Sequence, residues 1–296
     1  MSIILSQHLM RFYEEYSSLD VTFTKDVVKA IGLVPKQVYL KCVGYQWPCI
    51  IYSSSMTSAK VIVNAKLGIQ AIAQKANNMV NLRFSFLSDK PDPVSFFVSA
   101  RISGLLPYGA ANPGLNIIAL TFTHRPADDL ISALGELLEA NVNSKKRKEE
   151  RIVLTTEVME KLGLKAKEIT LSVESVPRKG IIRDLSFSGA KVLIAGVAKF
   201  MVDKTALLHL EPEDSAEPLI LEGRILRFEP VEGRKDISAF AIQFKEESIP
   251  IRYKIIINDY LRQLKHKPSA VQQKPPVENP LPSPDPDTPP PEQPSG

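Results

Sequence analysis

Residues 151–194 read RIVLTTEVMEKLGLKAKEITLSVESVPRKGIIRDLSFSGAKVLI, and the same pattern stands at residues 20–63 as DVTFTKDVVKAIGLVPKQVYLKCVGYQWPCIIYSSSMTSAKVIV. The two stretches align without a gap at an offset of 131, and 12 of their 44 positions are identical. Thr24/Thr155, Gly32/Gly163, Leu40/Leu171, Ser55/Ser186 and Lys60/Lys191 are among the identities. Self-similarity at a fixed spacing marks one small fold used twice. The copies differ at chemically decisive places. Arg147, Arg151, Asp184 and Gly189 of the second copy correspond to Tyr16, Asp20, Ser53 and Ser58 of the first.

Working outward, each copy is a run of short β-rich segments closed by an amphipathic helix. In the first, 38–43, 49–53, 59–65, 82–86, 95–105 and 116–122 read as strands. Residues 1–19 read as a lead-in helix and 66–79 as a helix inserted between strands. The closing helix spans 126–141, with Pro126 at its start and Asp128 and Asp129 in its first turn. In the second copy, 168–174, 180–186, 190–196, 205–211, 219–229 and 237–244 read as strands. A helix over 249–265 follows, with Ile251, Ile255, Tyr260, Leu261 and Leu264 on one face. Gly32 and Gly163 supply a left-handed stop after a short helical turn. Six strands and one helix per copy predict a mainly β chain of two tandem six-stranded antiparallel barrels, each closed by its C-terminal helix.

This gives an N-terminal domain at 1–141, a linker at 142–151, a second domain at 152–266 and a tail at 267–296. The tail has 11 prolines and few apolar side chains, and is expected to stay disordered with a polyproline-II leaning. The hydrophobic fraction of 44% and charged fraction of 24% are those of a soluble globular protein. A net charge of +4 is too mild for a polyanion-binding surface over the whole molecule, so any charge effect is local. Cys42 and Cys49 lack a CxxC or Cys/His context and read as buried thiols. With no apolar run of about 20 residues and no signal peptide, the expected compartment is the cytoplasm. His8, His124, His209 and His266 lie far apart, and HExxH, GxSxG and P-loop patterns are lacking. Neither catalysis nor a metal or cofactor is expected.

Two motifs carry chemistry. KKRKEER at 145–151 contains Arg147 and Arg151, the one RxxxR pair in the chain. DLSFSG at 184–189 supplies Asp184, Ser186 and Gly189 at the end of a predicted strand. A guanidinium is planar and permanently charged, and forks onto phosphate oxygens or the O6/N7 edge of guanine. A carboxylate accepts from guanine N1–H and N2–H, and a hydroxyl donates or accepts. Glycine lets backbone approach closely, or takes φ > 0 where the strand resumes. Lys146, Arg183 and Ser188 are secondary candidates; the cations suit either phosphate contact or simple solvation, and Ser188 suits a turn. Either motif alone is commonplace, RxxxR as solvated helix arginines and DxSxxG as a β-turn. Together they suit an anionic ligand bearing guanine.

The RxxxR pair, the DxSxxG motif 33 residues later, the GRILRFE strand and the closing helix resemble the PilZ domain over about 145–265. The whole chain resembles the two-barrel PilZ-type receptors of spirochaetes, with a degenerate PilZ-like first barrel. The resemblance implies a bacterial receptor that binds cyclic di-GMP and a part in motility regulation. It implies that Arg147 and Arg151 grip guanine and phosphate while Asp184, Ser186 and Gly189 form the opposing surface. Ala241 departs from the family, which often has glycine there. On this reading, capture orders the linker and fixes the interdomain orientation, signalling to a downstream protein partner. The alternatives are a ligand-independent interaction module and a nucleic-acid binder using the 145–151 patch, which has few aromatics for stacking.

Overall fold

A computed structural model of the chain describes residues 2–266 apart from 89–90, 110–111, 113, 196–197 and 216. The proline-rich tail expected at 267–296 lies outside the described residues.

The first unit opens with α1 (Ser2–Tyr16), β1 (Val21–Thr22) and α2 (Lys25–Ala30). The Thr24 hydroxyl caps α2 by accepting from the Val27 amide, and Gly32 beyond it takes φ +66°. The second unit repeats the device with β9 (Ile152–Val153) and α5 (Thr156–Lys161), capped by Thr155 and stopped by Gly163 at φ +60°. Cap and stop are identical in both copies because each satisfies orphaned helix-end groups with a residue type suited to the local backbone.

The remaining strands are β2 (Tyr39–Cys42), β3 (Tyr45–Pro48), β4 (Ile50–Ser54), β5 (Ser58–Asn64), β6 (Met79–Phe86), β7 (Val94–Pro107) and β8 (Leu115–Phe122) in the first unit. The second has β10 (Glu168–Val173), β11 (Val176–Leu185), β12 (Gly189–Ala195), β13 (Thr205–Leu210), β14 (Leu219–Val231) and β15 (Arg234–Phe244). Its sheet order is β10-β13-β14-β15-β12-β11-β9, all antiparallel, and a further β10–β11 pairing closes the six-stranded ring. β11 serves both neighbours, its first half on β10 and its second half on β12.

The first sheet runs β1-β4-β5-β8-β7-β6-β2-β3. Its counterpart of β11 is split at Cys49, so β3 pairs with β2 and β4 with β5. Pro48 has no amide proton to donate, which weakens the ladder at that point. The Cys49 amide still donates to Val38 O at 3.3 Å. The expected first barrel is thus a half-barrel sheet, whose edge strand β3 is joined through Cys49 to β4, the strand beside the other edge.

α4 (Asp128–Lys146) buries Leu130, Ile131, Leu134, Leu137 and Leu138 in the first core, as its periodicity indicates. It continues five residues beyond the apolar pattern. Its last turn rests on α6 (Ile251–His266), where the Asn143 side-chain amide donates to Asn258 Oδ1 at 2.7 Å. Tertiary contact extends the helix where local periodicity ends. α3 (Ile69–Lys75) is shorter than expected, with Asn77 and Asn78 at φ +55° and +61° just beyond it.

α6 serves both cores. Ile251 and Ile255 pack against the first, while Tyr253, Ile257, Tyr260 and Leu261 belong to the second. Leu264, expected on the apolar face, is exposed at the helix end. The junction also carries a Lys29–Glu217 ion pair, and Asp26 Oδ2 accepts from the Ile251 amide at 2.9 Å. A carboxylate at a helix start is favoured by the unpaired amides and dipole there. Among the described residues no helix is long and apolar enough to cross a membrane.

Candidate functional site

The second unit's two motifs meet because β9 lies along the end of β11. Val153 pairs with Asp184 and Ile152 with Leu185, and the Leu154 amide donates to Arg183 O at 2.9 Å. This short clip brings Arg151 alongside Asp184, and Arg151 Nη1 donates to Asp184 Oδ1 at 2.5 Å. The Asp184 side chain is 11% exposed and that of Arg151 is 44% exposed. The cation therefore covers a mostly buried carboxylate while keeping donors toward solvent. A register shift in the β11–β12 pairing falls between Ile182 and Asp184. Arg183 and Asp184 therefore sit consecutively between the core residues Ile182 and Leu185, a re-aiming that β-bulges commonly achieve.

Arg147 does not reach Asp184. Its Nε and Nη2 donate to the two oxygens of Glu150 at 2.5 and 2.7 Å, a bidentate fork. Its backbone amide donates to Asn143 O at 2.8 Å, so Arg147 ends α4. Only 147–151 separates α4 from β9. That arm is fastened to the barrel. The Ser188 hydroxyl is 2.9 Å from Lys148 O and 3.2 Å from Glu149 Oε1, and its single proton serves one of them at a time. Lys148 Nζ pairs with Glu246 at 2.7 Å and holds that carboxyl below its usual range.

Ser186 is almost wholly buried. Its amide donates to Gly189 O at 2.8 Å and its hydroxyl lies 3.3 Å from the same oxygen, which makes the tight turn of the motif. Gly189 is dictated by close approach, since a Cβ there would stand 2.4 Å from Ile242 O on β15. The positive-φ alternative does not apply, because Gly189 is not among the positive-φ glycines. Tyr253 of α6, fully buried, donates its hydroxyl to Ser186 O at 2.7 Å. Burial pushes this phenol well above its ordinary range, so it stays a donor. Ala241 stands between Lys191 and Arg227 in register, across β12, β15 and β14.

Of the secondary candidates, Lys146 and Arg183 are exposed. Ser188 fastens the arm. Sequence reasoning missed Glu150 as the partner of Arg147, although a carboxylate three residues along the same arm was the available signal. It also missed Tyr253, whose only signal is an aromatic on the closing helix.

The first unit shows the same two positions with other chemistry. β1 pairs with β4 as β9 does with β11, setting Val21 opposite Ser54 and Thr22 opposite Ser53. Asp20 takes the place of Arg151 and Ser53 that of Asp184. The Ser53 hydroxyl lies 3.4 Å from Asp20 Oδ2, and Lys60 Nζ lies 3.2 Å from it. The rim has exchanged an arginine for a carboxylate and is satisfied by its own lysine.

Comparison with known proteins matches the PilZN3 domain over residues 7–141 and the PilZ domain over residues 145–263. A Treponema denticola protein named cyclic di-GMP binding protein is 45% identical over 261 residues, covering 88% of this chain and 83% of its own length. The crystal structure of the Borreliella burgdorferi PlzA protein in complex with c-di-GMP superposes with a TM-score of 0.41 at 21% identity. It covers 86% of this chain and 99% of that one. The Bacillus subtilis inhibitor of motility, MotI/DgrA, gives a TM-score of 0.30 at 11% identity, covering 79% and 98%. The chain belongs to the PilZ family, in the two-domain form of spirochaetes that sets a PilZN3 domain ahead of a PilZ domain.

Proposed function

We propose that the second barrel is a receptor site for cyclic di-GMP. Arg147 and Arg151 clamp guanine and phosphate from the 147–151 arm, and Asp184, Ser186 and Gly189 form the facing rim. The observation that carries this reading is the Arg151–Asp184 apposition, set against its replacement by Asp20 and Ser53 in the first unit. A guanidinium and a carboxylate side by side offer donors for phosphate or guanine O6/N7 and an acceptor for guanine N1–H and N2–H. The Treponema denticola relative, named for binding cyclic di-GMP, supports the same ligand.

The arm also joins the two units. Capture draws Arg147 from Glu150 onto the ligand and ties the arm more firmly to the second barrel. It fixes the orientation of the units and so signals to a protein partner. The first unit is the structural or protein-contacting half. Ile50, Tyr52 and Leu106, exposed on its strands β4 and β7, support that role. A nucleic-acid role for 145–151 is disfavoured, because KKRKEER has no aromatic side chain for bases to stack on.

Calorimetric titration of the full chain with cyclic di-GMP and cyclic di-AMP tests the proposal. Tight binding of the guanine ligand and weak binding of the adenine ligand are expected. Equal affinities, or cyclic di-GMP held no better than GMP, would overturn it.

A further inference from the structure

The geometry points to Asn258 as a positioning residue for the ligand arm, acting across the junction between the two units. This inference rests on the cyclic di-GMP reading and adds a part to it.

Asn258 lies on α6 and is 1% exposed. Its side-chain oxygen accepts from Asn143 Nδ2 at 2.7 Å, and its nitrogen donates to Glu139 Oε2 at 3.1 Å. Glu139 and Asn143 are one turn apart on α4. One neutral fork thus spans two successive turns of the other unit's helix. An amide suits the place because it carries a donor and an acceptor in one plane. The Glu139 carboxylate is itself nearly buried, paired to Arg11 of α1 and 3.7 Å from Arg262 Nη1 of α6. The far side of the network is therefore held by cations from both units.

The near side leads to the ligand arm. Asn143 gives its side chain to Asn258 and its backbone carbonyl to the amide of Arg147, at 2.8 Å. It is the shared residue between the junction and the first arginine of the clamp. Lys254, one turn before Asn258 on α6, reaches Asn141 Oδ1 at 3.4 Å and steadies the same end of α4. Asn258 therefore fixes the direction in which Arg147 leaves α4 without touching the ligand position. By linkage, a ligand held by Arg147 tightens the α4–α6 junction to the same degree.

The test uses the full chain and two variants. Asn258→Leu removes both hydrogen bonds at similar volume. Asn143→Ala removes only the bridge, with the strongest helix former in place. The first readout needs no ligand: amide hydrogen exchange at Arg147, read against the strands of both barrels. Faster exchange at Arg147 with unchanged strands is expected in both variants. The second readout is cyclic di-GMP affinity by calorimetry, expected to fall by about 5-fold or more. Unchanged exchange at Arg147, or faster exchange with unchanged affinity, overturns the inference. If Asn258→Leu does not fold, Asn143→Ala decides alone by the same two criteria. Absence of cyclic di-GMP binding in the unaltered chain would sink the ligand reading instead, and the exchange result would still report whether Asn258 sets the arm.

Discussion

Glu150 holds both fork donors of Arg147, and a ligand that needs those donors must displace it. Removing the competitor is therefore expected to tighten binding. The pair is bidentate at 2.5 and 2.7 Å, with the arginine side chain 17% and the glutamate 42% exposed. Exposed ion pairs contribute about 0.2–1 kcal/mol, and bidentate geometry puts this one near the upper end, at about 1 kcal/mol. Glu150→Ala releases all of it, which corresponds to about 5-fold tighter binding of cyclic di-GMP. Glu150→Gln keeps an acceptor but loses the charge. Neutral hydrogen bonds are about half as strong as charge-assisted ones, so the gain falls to about 2-fold. Calorimetry at fixed salt reads both values. Glu247→Gln serves as a control with the same charge change outside the arm, and is expected to shift affinity less. The ratio of variant to wild type should shrink near 1 M salt, where charges are screened beyond about 3 Å. Unchanged or weaker binding in both Glu150 variants would refute the competition, and with it the placement of the ligand at Arg147.

Other expectations follow from the same geometry. Arg151→Ala removes a charge-assisted contact of about 1.5–3 kcal/mol, a loss of roughly 10- to 100-fold in affinity by calorimetry. The unpaired, mostly buried Asp184 is also expected to lower the melting temperature. Asp259 of α6 is pushed up to about 6, chiefly by burial and further by Glu136 and Glu139, which outweigh its contact with Arg262. Its folded value lies above its unfolded one, so its ionisation opposes folding increasingly from about pH 4 to about pH 6, and fully above that. Asp259→Asn should therefore stabilise the chain at pH 7.5, by up to on the order of 2–3 kcal/mol, and change little at pH 4 in denaturant titrations. Burial pushes the Cys49 thiol up to about 12, so it should resist maleimide at pH 8 in the folded chain and react once unfolded.

The repeat made much of this fold legible. Thr24/Thr155 and Gly32/Gly163 are identical because each does one backbone task twice. The strand runs followed from β-rich composition between turn signals. Arg151 and Asp184, 33 residues apart in the chain, are assigned by their chemistry to facing sides of one ligand, and the β9–β11 clip sets them in direct contact. What the sequence concealed depends on contacts between distant segments. The last turn of α4 lacks an apolar stripe and is held by polar groups of α6, so its length had no local signature. α6 reads as a one-sided helix, yet Ile251 and Ile255 serve one core while Tyr253 and Ile257 serve the other. The split at Cys49 turns on Pro48, whose effect shows only once its strand partners are known. Ser188 fits a turn residue by type, and its hold on the arm arises from a backbone carbonyl 40 positions earlier.

Amide hydrogen exchange across the full chain, with and without saturating cyclic di-GMP, tests the central claim most directly. The expected result is new protection at 145–151 and 184–189 and at the α4–α6 junction around 139–143 and 254–258, with 16–20 and 53–58 unchanged. Protection appearing in the first unit's rim, or absent from the arm of the second, would contradict it.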